Sequence, residues 1–291
     1  MVAYSKLPRN KLALSWQNSF YYYVTEKIVS PANPRIKELV KLRESPRKRR
    51  ERGAFVVEGL DDLNTLTKSG KQVEEIFYCK ELIPTTYSTE LLVEWENGGM
   101  KVQSVAEDAF RKASYRKSSD GILAVVRKWS LDIKDQQGLN PELVVVLDEV
   151  EKPGNLGAIF RTAEALGVDA ILLSEACVDF FNPNVVRSSR GLMGQVPVFG
   201  GTKEEVFDWL RDSQLTIFGT SSKKDDSIYE VNFDRGSAFV LGSEKEGLGS
   251  FWESRISKWC TIPMLGKASS LNLNACLACL LSEYNRARQR G

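Results

Sequence analysis

The alternation of apolar and polar positions predicts a small α/β sandwich in the first part of the chain, over residues 25–127. A capped basic helix comes first, and a break at Pro46 with a basic turn separates it from a short strand. The predicted strands are Ala54–Glu58, Glu75–Cys79 and Gly121–Val126, and further helices start near Asp61 and span Thr89–Glu96. We expect this sandwich to carry the basic residues on its surface.

A different pattern begins at Leu143. The run LVVVLD is apolar and rich in β-branched residues, which is typical of a strand buried on both faces. A helix then starts at Asn155, places its apolar residues on one side and stops at Gly167. The further predicted strands are Ala170–Leu173, Val196–Phe199, Thr216–Gly219, Ala238–Leu241 and Cys260–Pro263. Because helical segments lie between most of them, the pattern predicts an α/β domain around a mostly parallel sheet.

The chain length of 291 residues is sufficient for two domains. The segment between the two patterns combines mixed charge with glycine and proline and shows little periodicity, which indicates a linker. We therefore divide the chain into an N-terminal extension (1–24), a first domain (25–127), a linker (128–142) and a second domain (143–291).

Positive charge is concentrated in one segment of the chain. The net charge is only +2, but residues 35–52 contain nine basic and three acidic residues. A local excess of this size suits a polyanionic partner. Since no apolar run approaches the roughly 20 residues that a membrane helix requires, we expect no contact with a membrane.

The absence of histidine narrows the possible chemistry. It excludes Ser-His-Asp and Cys-His catalysis, Cys2His2 zinc sites and acid–base steps at an imidazole. The five cysteines are scattered and odd in number, which favours a reducing compartment over a disulfide scaffold. The C-x-x-C pair Cys276 and Cys279 lies among leucines, so we expect both to pack within a buried helix and predict no metal site.

The stretch FVLGSEKEGLGS (239–250) has two glycines, Gly242 and Gly247, with the spacing of a triphosphate-binding loop. Such a loop needs Lys-Ser or Lys-Thr after its second glycine, whereas Leu248 and Gly249 follow here. The dinucleotide fingerprint G-x-G-x-x-G is also missing, so kinase, ATPase and dehydrogenase functions are excluded. Alone, these glycines predict only a turn after a strand. However, residues 152–168 and 262–290 also place polar groups at the carboxyl ends of strands, where ligands bind in open α/β sheets.

Three segments together resemble the motifs of the SpoU (TrmH-type) RNA methyltransferases, which belong to the SPOUT superfamily. They are NLGAIFRTAEALGV (155–168), LGSEKEGLG (241–249) and IPMLGKASSLNLNACLACLLSEYNRARQ (262–289). The segment FNPNVVRSSRGLMGQVPV (181–198) is similar to the one that this family carries between its first two motifs. The basic N-terminal region with RERGAFVVEG resembles the family's ribosomal-protein-L30e-like RNA-binding domain.

The resemblance implies a trefoil-knotted methyltransferase domain, S-adenosylmethionine as cofactor and methyl transfer to a ribose 2′-hydroxyl of structured RNA, with ribosomal RNA favoured. It also implies a homodimer formed through the knotted domain. The catalytic residues it indicates are Asn155, Arg161, Glu244, Ser270 and Asn272. The cofactor-binding residues are Leu241, Gly242, Ser243, Glu244, Gly247, Ile262, Met264, Leu271 and Asn274. The RNA-binding residues are Arg35, Lys37, Lys41, Arg47, Lys48, Arg49, Arg50 and Arg52.

The proton of the ribose hydroxyl must leave without the help of histidine. We expect Arg161 to orient the hydroxyl or a phosphate and to stabilise alkoxide charge, because a guanidinium is a poor base; direct proton acceptance is the second hypothesis. The glycines at 242 and 247 would allow the backbone to approach the cofactor closely. Taken singly, Arg161 could be a surface residue, Asn155 an N-cap, and Asn272 a cap of the last helix.

Two positions depart from the family pattern, and several functions stay open. Asn274 stands where the family commonly has serine, and Arg190 where a small or apolar residue is usual. The alternatives are a non-catalytic RNA-binding ribosome-assembly factor, transfer RNA as substrate, and methylation of a base. We expect a cytoplasmic protein, or an organellar one if residues 1–24, which contain no acidic residue, form a transit peptide.

Overall fold

Two β-sheets organise the chain in the computed structural model. It describes residues 26–85, 95, 98–116, 118–135, 138–221, 224, 226–233, 236–243 and 245–289. The N-terminal extension and most of the helix predicted over Thr89–Glu96 therefore lie outside the described residues.

The N-terminal sheet has four strands in the order β1-β4-β2-β3, and only the β2–β3 pair is parallel. Its strands are β1 (Ala54–Glu58), β2 (Val73–Tyr78), β3 (Lys101–Ser104) and β4 (Ile122–Arg127). Its helices are α1 (Pro34–Glu44), α2 (Pro46–Arg52), α3 (Leu60–Lys68) and α4 (Glu107–Ala113). Strand β1 is confirmed over its predicted range, whereas β3 and α4 were not predicted.

The basic segment before β1 is a helix, and the predicted basic turn is wrong. The Ser45 hydroxyl accepts a hydrogen bond from the Lys48 backbone N–H at 3.3 Å, and Pro46 occupies the first turn. Gly53 ends the helix in a left-handed conformation with φ 64°. These are the ordinary start and stop signals of a helix. The predicted break at Pro46 is confirmed, since α1 ends at Glu44 and α2 begins at Pro46.

The C-terminal sheet has six strands in the order β10-β8-β9-β5-β6-β7, and every pairing in it is parallel. Its strands are β5 (Leu143–Asp148), β6 (Ala170–Ser174), β7 (Val198–Gly201), β8 (Thr216–Thr220), β9 (Ser237–Leu241) and β10 (Lys258–Cys260). Its helices are α5 (Pro153–Ala165), α6 (Pro183–Ser189), α7 (Lys203–Asp212), α8 (Ser250–Glu253) and α9 (Leu273–Arg288). The predicted α/β fold with a mostly parallel sheet is confirmed.

Strand β10 is shorter than the predicted Cys260–Pro263. It pairs with β8 alone, and its last partner, Thr220, is the final residue of that strand. Beyond Cys260 the chain instead bonds to a loop, where the Thr261 N–H donates to the Asp226 carbonyl at 2.7 Å.

The segment predicted as a linker packs along the edge of this second sheet. It contains a short 3₁₀ turn, Ile133–Asp135, whose Ile133 side chain is buried. Asp132 forms a parallel bridge with Gly200 of β7.

An aromatic cluster joins the two parts of the chain. Phe55 of β1 lies 5.0 Å from Phe181 between ring centroids, and Trp129 lies 4.9 Å from the same ring. Phe180 continues the cluster to Phe160 of α5 at 5.4 Å. The core of the N-terminal sheet is thus continuous with the core around α5, which carries two predicted catalytic residues.

Candidate active site

Helix α5 follows the central strand β5 and begins two residues before its predicted start. Pro153 occupies its first turn, so Asn155 lies inside the helix and is not the N-cap. A Cβ at Gly157 would lie 1.9 Å from Ser188 Oγ and 2.6 Å from the Val185 carbonyl of α6. Glycine at 157 therefore allows α5 and α6 to pack in direct backbone contact.

Helices α5 and α9 are connected by three hydrogen bonds between residues far apart in sequence. Asn272 Nδ2 donates to Asn155 Oδ1 at 3.2 Å, and Thr162 Oγ1 donates to Asn274 Oδ1 at 2.8 Å. Just after the end of α5, the Leu166 carbonyl accepts a hydrogen bond from Asn285 Nδ2 of α9 at 3.0 Å. The structure thus brings the predicted residues Asn155 and Asn272 together.

Asn272 has two roles at the start of α9. Its Oδ1 accepts a hydrogen bond from the Asn274 N–H at 3.0 Å, so it caps the helix while its amide group bonds to Asn155. The amide is therefore held from both ends, and the side chain has little freedom to move. Asn274, by contrast, directs its oxygen to Thr162, a residue that the sequence analysis missed.

Arg161 is exposed on α5 and has no hydrogen-bond or ion-pair partner among the residues described. It directly precedes Thr162, so the two side chains leave the helix about 100° apart. Because Thr162 faces α9, Arg161 points away from that contact and its guanidinium is accessible from solvent.

The loop after β9 closes on itself. The Gly247 N–H donates to the Ser243 carbonyl at 3.0 Å, and the Glu246 N–H to Ser243 Oγ at 3.2 Å. A Cβ at Gly242 would lie 2.2 Å from the Gly247 carbonyl group, while Gly247 itself has φ +71°. In this structure the close neighbour of Gly242 is the chain's own backbone at Gly247. Glu244 lies outside the described residues.

The segment between β10 and α9 is the most exposed part of this region. Ile262 and Met264 are half-buried, whereas Ser270 is exposed and Leu271 is 39% exposed. Leu265 is 99% exposed. Two large apolar residues of this segment, Leu265 and Leu271, therefore face solvent.

The basic segment is less available for a polyanion than its sequence suggests, and for Arg49 the prediction is wrong. The Arg49 side chain is buried, 1% exposed, and its Nε donates to Asp179 Oδ2 at 2.7 Å. Its Nη1 bonds to the carbonyls of Leu42 and Arg43 at 2.6 and 2.9 Å. Arg49 therefore joins α2 to the second part of the chain and cannot reach a ligand.

Other basic residues of this segment form ion pairs on the surface. Arg47 and Lys48 both pair with Glu51, which lowers the pKa of that carboxyl, and Arg52 pairs with Glu38 and Glu74. Arg35 bonds to Glu75 and Gln103. Among the described residues, Lys37, Lys41 and Arg50 are exposed and have no such partner.

Comparison with known proteins identifies the chain. The model of the SpoU rRNA Methylase family matches residues 142–282, and the model of the MRM3-like substrate binding domain matches residues 33–124. The 23S rRNA (guanosine-2′-O-)-methyltransferase RlmB of Bordetella pertussis is 30% identical over 203 residues, covering 68% of this chain and 83% of that protein. The chain belongs to the SpoU rRNA methylase family.

Two further proteins are similar to this SpoU family member over most of its length. The 23S rRNA (guanosine(2553)-2′-O)-methyltransferase RlmP of Bacillus subtilis is 26% identical over 257 residues, 88% of this chain and 98% of that protein. The crystal structure of the SpoU methyltransferase AviRb from Streptomyces viridochromogenes, in complex with the cofactor AdoMet, has a TM-score of 0.77 at 25% identity. The alignment covers 89% of this chain and 99% of AviRb. The predicted resemblance is confirmed.

The cysteines of this SpoU protein differ from each other in their surroundings. Cys276 is half-buried beside the core of the second sheet, and burial raises its pKa to about 11. Cys279 is exposed, so the expectation that both pack inside is wrong for this residue. Within the described ranges, no group of three or more metal-ligating side chains is close enough to hold an ion, and no helix is long and apolar enough to cross a bilayer.

Proposed function

We propose that the protein transfers the methyl group of S-adenosylmethionine to a ribose 2′-hydroxyl of ribosomal RNA. The observation that carries this function is the Asn155–Asn272 hydrogen bond, which joins the first and third SpoU motifs at 3.2 Å. Both residues lie at the carboxyl edge of the parallel sheet, where ligands bind in this class of fold. The relatives named above are 23S rRNA 2′-O-methyltransferases, which favours ribosomal over transfer RNA as substrate.

The loop after β9 and the segment that leads into α9 suit a cofactor with a flat aromatic base and a polar tail. Ile262, Met264 and Leu271 supply an incompletely buried apolar wall. Leu241, Gly242, Ser243 and Gly247 supply backbone polar groups on a loop whose shape is fixed by its own hydrogen bonds. When bound, S-adenosylmethionine supplies an electrophilic methyl group. Asn274 acts on the cofactor site indirectly, through its hydrogen bond with Thr162 and its position in the first turn of α9.

Arg161 acts on the ribose in this proposal. An exposed guanidinium without a partner among the described residues can donate hydrogen bonds to a 2′-oxygen or to the adjacent phosphate. It remains charged at any physiological pH, so it stabilises the negative charge that develops as the hydroxyl loses its proton. Asn155 and Asn272 orient the reacting groups, with Ser270 and Glu244 as further predicted members of the site.

Methyl transfer from labelled S-adenosylmethionine to an unmodified transcript of large-subunit rRNA tests this function. Arg161→Ala should lower turnover by about 10²–10³-fold, the typical loss of one donor to developing charge. Arg161→Lys should recover part of it, and calorimetry should give unchanged cofactor affinity for both. Turnover like that of the wild type in Arg161→Ala would remove this residue from the mechanism. Mapping of the product separates a methylated ribose from a methylated base, and absence of cofactor binding would favour a non-catalytic RNA-binding protein.

A matched pair of glycine variants tests the cofactor loop. Gly242→Ala should weaken cofactor binding because its Cβ would force the Gly247 backbone to move from 2.2 Å. Gly249→Ala is the control, since nothing lies within 4 Å of its added Cβ. Equal affinities of the two variants for S-adenosylmethionine would show that this loop does not bind it.

The RNA-binding surface is proposed to include Lys37, Lys41 and Arg50. Replacing these three by alanine should weaken rRNA binding and lower the slope of log K against log salt by about two to three, because fewer counterions are released. Arg211→Ala, an exposed arginine of α7, serves as the control. An unchanged slope in the triple variant would show that the basic segment faces solvent and makes no contact with RNA phosphates.

We further propose the finer features of the fold that the family resemblance implies. The path of the chain from β10 to α9 supports a trefoil knot. It leaves the sheet at the edge strand β10, and the start of α9 forms hydrogen bonds with α5, the helix that follows the central strand β5. The first sheet would be the L30e-like domain, covering residues 25–127.

A homodimer fits the exposure of Leu265, and light scattering at several concentrations tests it. The cytoplasmic location is tested by fluorescent fusions with and without residues 1–24.

A further inference from the structure

A polar crevice lies between the first part of the chain and helix α6. Its lining residues include Arg43, Asp62, Tyr115, Arg116 and Arg187, so three arginines and one tyrosine contribute to its walls. Tyr115 and Arg116 follow helix α4, whereas Arg187 belongs to α6. The crevice is therefore formed by both parts of the chain, and it is separate from the basic segment on α1 and α2.

The residues on the first side are held rigidly by a buried carboxylate. Glu58, at the end of β1, accepts hydrogen bonds from the Tyr115 N–H at 2.7 Å and the Arg116 N–H at 3.2 Å. It also accepts one from the Ser114 hydroxyl. This arrangement fixes the backbone of Tyr115 although its ring is 46% exposed. An exposed aromatic ring on a rigid backbone is suited to stacking, because little conformational entropy is lost on binding.

The guanidinium of Arg187 lies over one face of the Tyr115 ring, which leaves the other face for a stacked base. Arg187 Cζ lies 5.7 Å from the centroid of the Tyr115 ring. The amide oxygen of Asn184 accepts hydrogen bonds from both side chains, from the tyrosine hydroxyl at 2.8 Å and from Arg187 at 3.3 Å. A polar side chain of α6 thus positions an aromatic surface and a cation together.

The three arginines of the crevice differ in how much charge they can offer. Arg116 pairs with the buried Asp62 at 2.8 Å, and Arg43 bonds to the carbonyls of residues 112–114 at the end of α4. Arg187 is exposed and has no carboxylate partner among the described residues. It is therefore the guanidinium of this group with uncompensated charge, and a phosphate would supply the missing anion.

Helix α6 connects this position to the candidate active site. Its residues Val185 and Ser188 form the wall against which Gly157 of α5 packs, and α5 carries Asn155 and Arg161. Arg187 lies on the same short helix, about 200° from Val185 around the helix axis, and is exposed. The position of the Tyr115–Arg187 pair relative to α5 is therefore set by the packing of this one helix.

We propose that Tyr115 and Arg187 bind one unpaired nucleotide of the substrate RNA, with its base stacked on the tyrosine ring and its phosphate on the arginine. This inference rests on the proposed RNA substrate. Proteins recognise RNA sequence mainly in single-stranded loops, whose bases stack on aromatic side chains. The site would let the protein select an RNA loop next to the methylated ribose, at a position that the basic segment does not reach.

The test measures binding of an unmodified large-subunit rRNA transcript to the full chain. Tyr115→Ala should raise the Kd about tenfold, within the range known for loss of one base–aromatic stack. Tyr115→Phe, which keeps the ring and loses only the bond to Asn184, should stay within about twofold of the wild type. Arg187→Ala should weaken binding similarly and lower the salt slope by about one. Ultraviolet cross-linking of the same complex should yield a nucleotide adduct on the Tyr115 peptide.

The outcomes separate this site from a structural contact and from the proposed reaction. A wild-type Kd in Tyr115→Ala would overturn the inference. An equal loss in Tyr115→Phe and Tyr115→Ala would also overturn it, because the tyrosine would then act only by tying α6 to the first sheet. If the protein methylates rRNA and these variants bind normally, only the site is refuted. If Tyr115→Ala weakens RNA binding but the wild-type protein transfers no methyl group, the proposed reaction is refuted and the nucleotide site stands.

Discussion

Replacing Asp179 by alanine should destabilise the protein more than any single change of a surface charge. The Asp179 carboxylate oxygen Oδ2 accepts a hydrogen bond from Arg49 Nε at 2.7 Å, and it forms an ion pair with Arg49 Nη2 at the same distance. Arg49 is almost inaccessible to water, and its remaining hydrogen bonds go to the carbonyls of Leu42 and Arg43 at the end of α1. Without Asp179, a buried positive charge would be left with only neutral partners.

The expected loss of unfolding free energy is about 3 kcal/mol. Removing one partner of a buried ion pair costs about 3–5 kcal/mol in general. The lower end applies because the Asp179 side chain is 17% exposed, so water partly replaces the carboxylate. The charge of Lys128, which interacts with both Asp179 and Arg49, adds repulsion once the carboxylate is gone.

Urea unfolding at neutral pH, followed by tryptophan fluorescence and by far-UV circular dichroism, measures this loss. Arg50→Ala is the matched control on the same helix, and its effect should remain within about 0.5 kcal/mol because Arg50 is exposed. The double replacement Arg49→Met with Asp179→Leu should recover much of the stability, since apolar pairs often substitute well for buried ion pairs. A loss below about 1 kcal/mol for Asp179→Ala, or an equal loss for Arg50→Ala, would refute the reasoning.

Three further predictions concern packing, protonation and thiol reactivity. Gly157→Ala should destabilise the protein by about 1–3 kcal/mol in urea unfolding because its Cβ would clash with α6, whereas Gly154→Ala, with nothing within 4 Å, should be neutral or slightly stabilising. Burial raises the pKa of Asp62 from its ordinary 3.8 to about 6, so the folded protein binds this proton more tightly than the unfolded chain does. Stability should therefore fall by up to about 3 kcal/mol as pH rises from about 4 to 6, and Asp62→Asn should remove this part of the slope. Maleimide should label the exposed Cys279 well before Cys260, whose pKa burial raises to about 12; equal rates by peptide mass spectrometry would contradict the described exposure.

Most strands could be predicted because their cause is local, although β3 was not. The run that forms β5 is apolar along its length, and the structure buries all six of its residues. Its helix partner α5 was found from the spacing of its apolar residues and the glycine at 167, which does follow its end with φ +75°. The helix α2 was predicted as a turn because its basic residues drew attention to charge. Ser45, Pro46 and Gly53 are capping residues and would have indicated a helix.

The candidate site could be predicted from the sequence only through the family resemblance. Asn155 and Asn272 are 117 positions apart, and no periodicity relates them. Their contact exists because α9, after β10 at one edge of the sheet, returns to α5 beside the central strand. The same limit explains Arg49, whose burial depends on Asp179 in another part of the chain. From sequence alone, one arginine in a basic run is indistinguishable from its neighbours.

The contacts between the two sheets link RNA recognition to the chemistry. The Arg49–Asp179 pair and the aromatic cluster around Trp129 hold the first sheet against the segment that leads into α6. Helix α6 in turn packs closely against Gly157 of α5, where the Ser188 hydroxyl and the Val185 carbonyl leave no room for a Cβ. Because each of these contacts is buried or tightly packed, a nucleotide held at Tyr115 would have a fixed distance to Arg161. A change at the interface that leaves both of those residues in place should therefore lower turnover on RNA more than it lowers affinity for the cofactor.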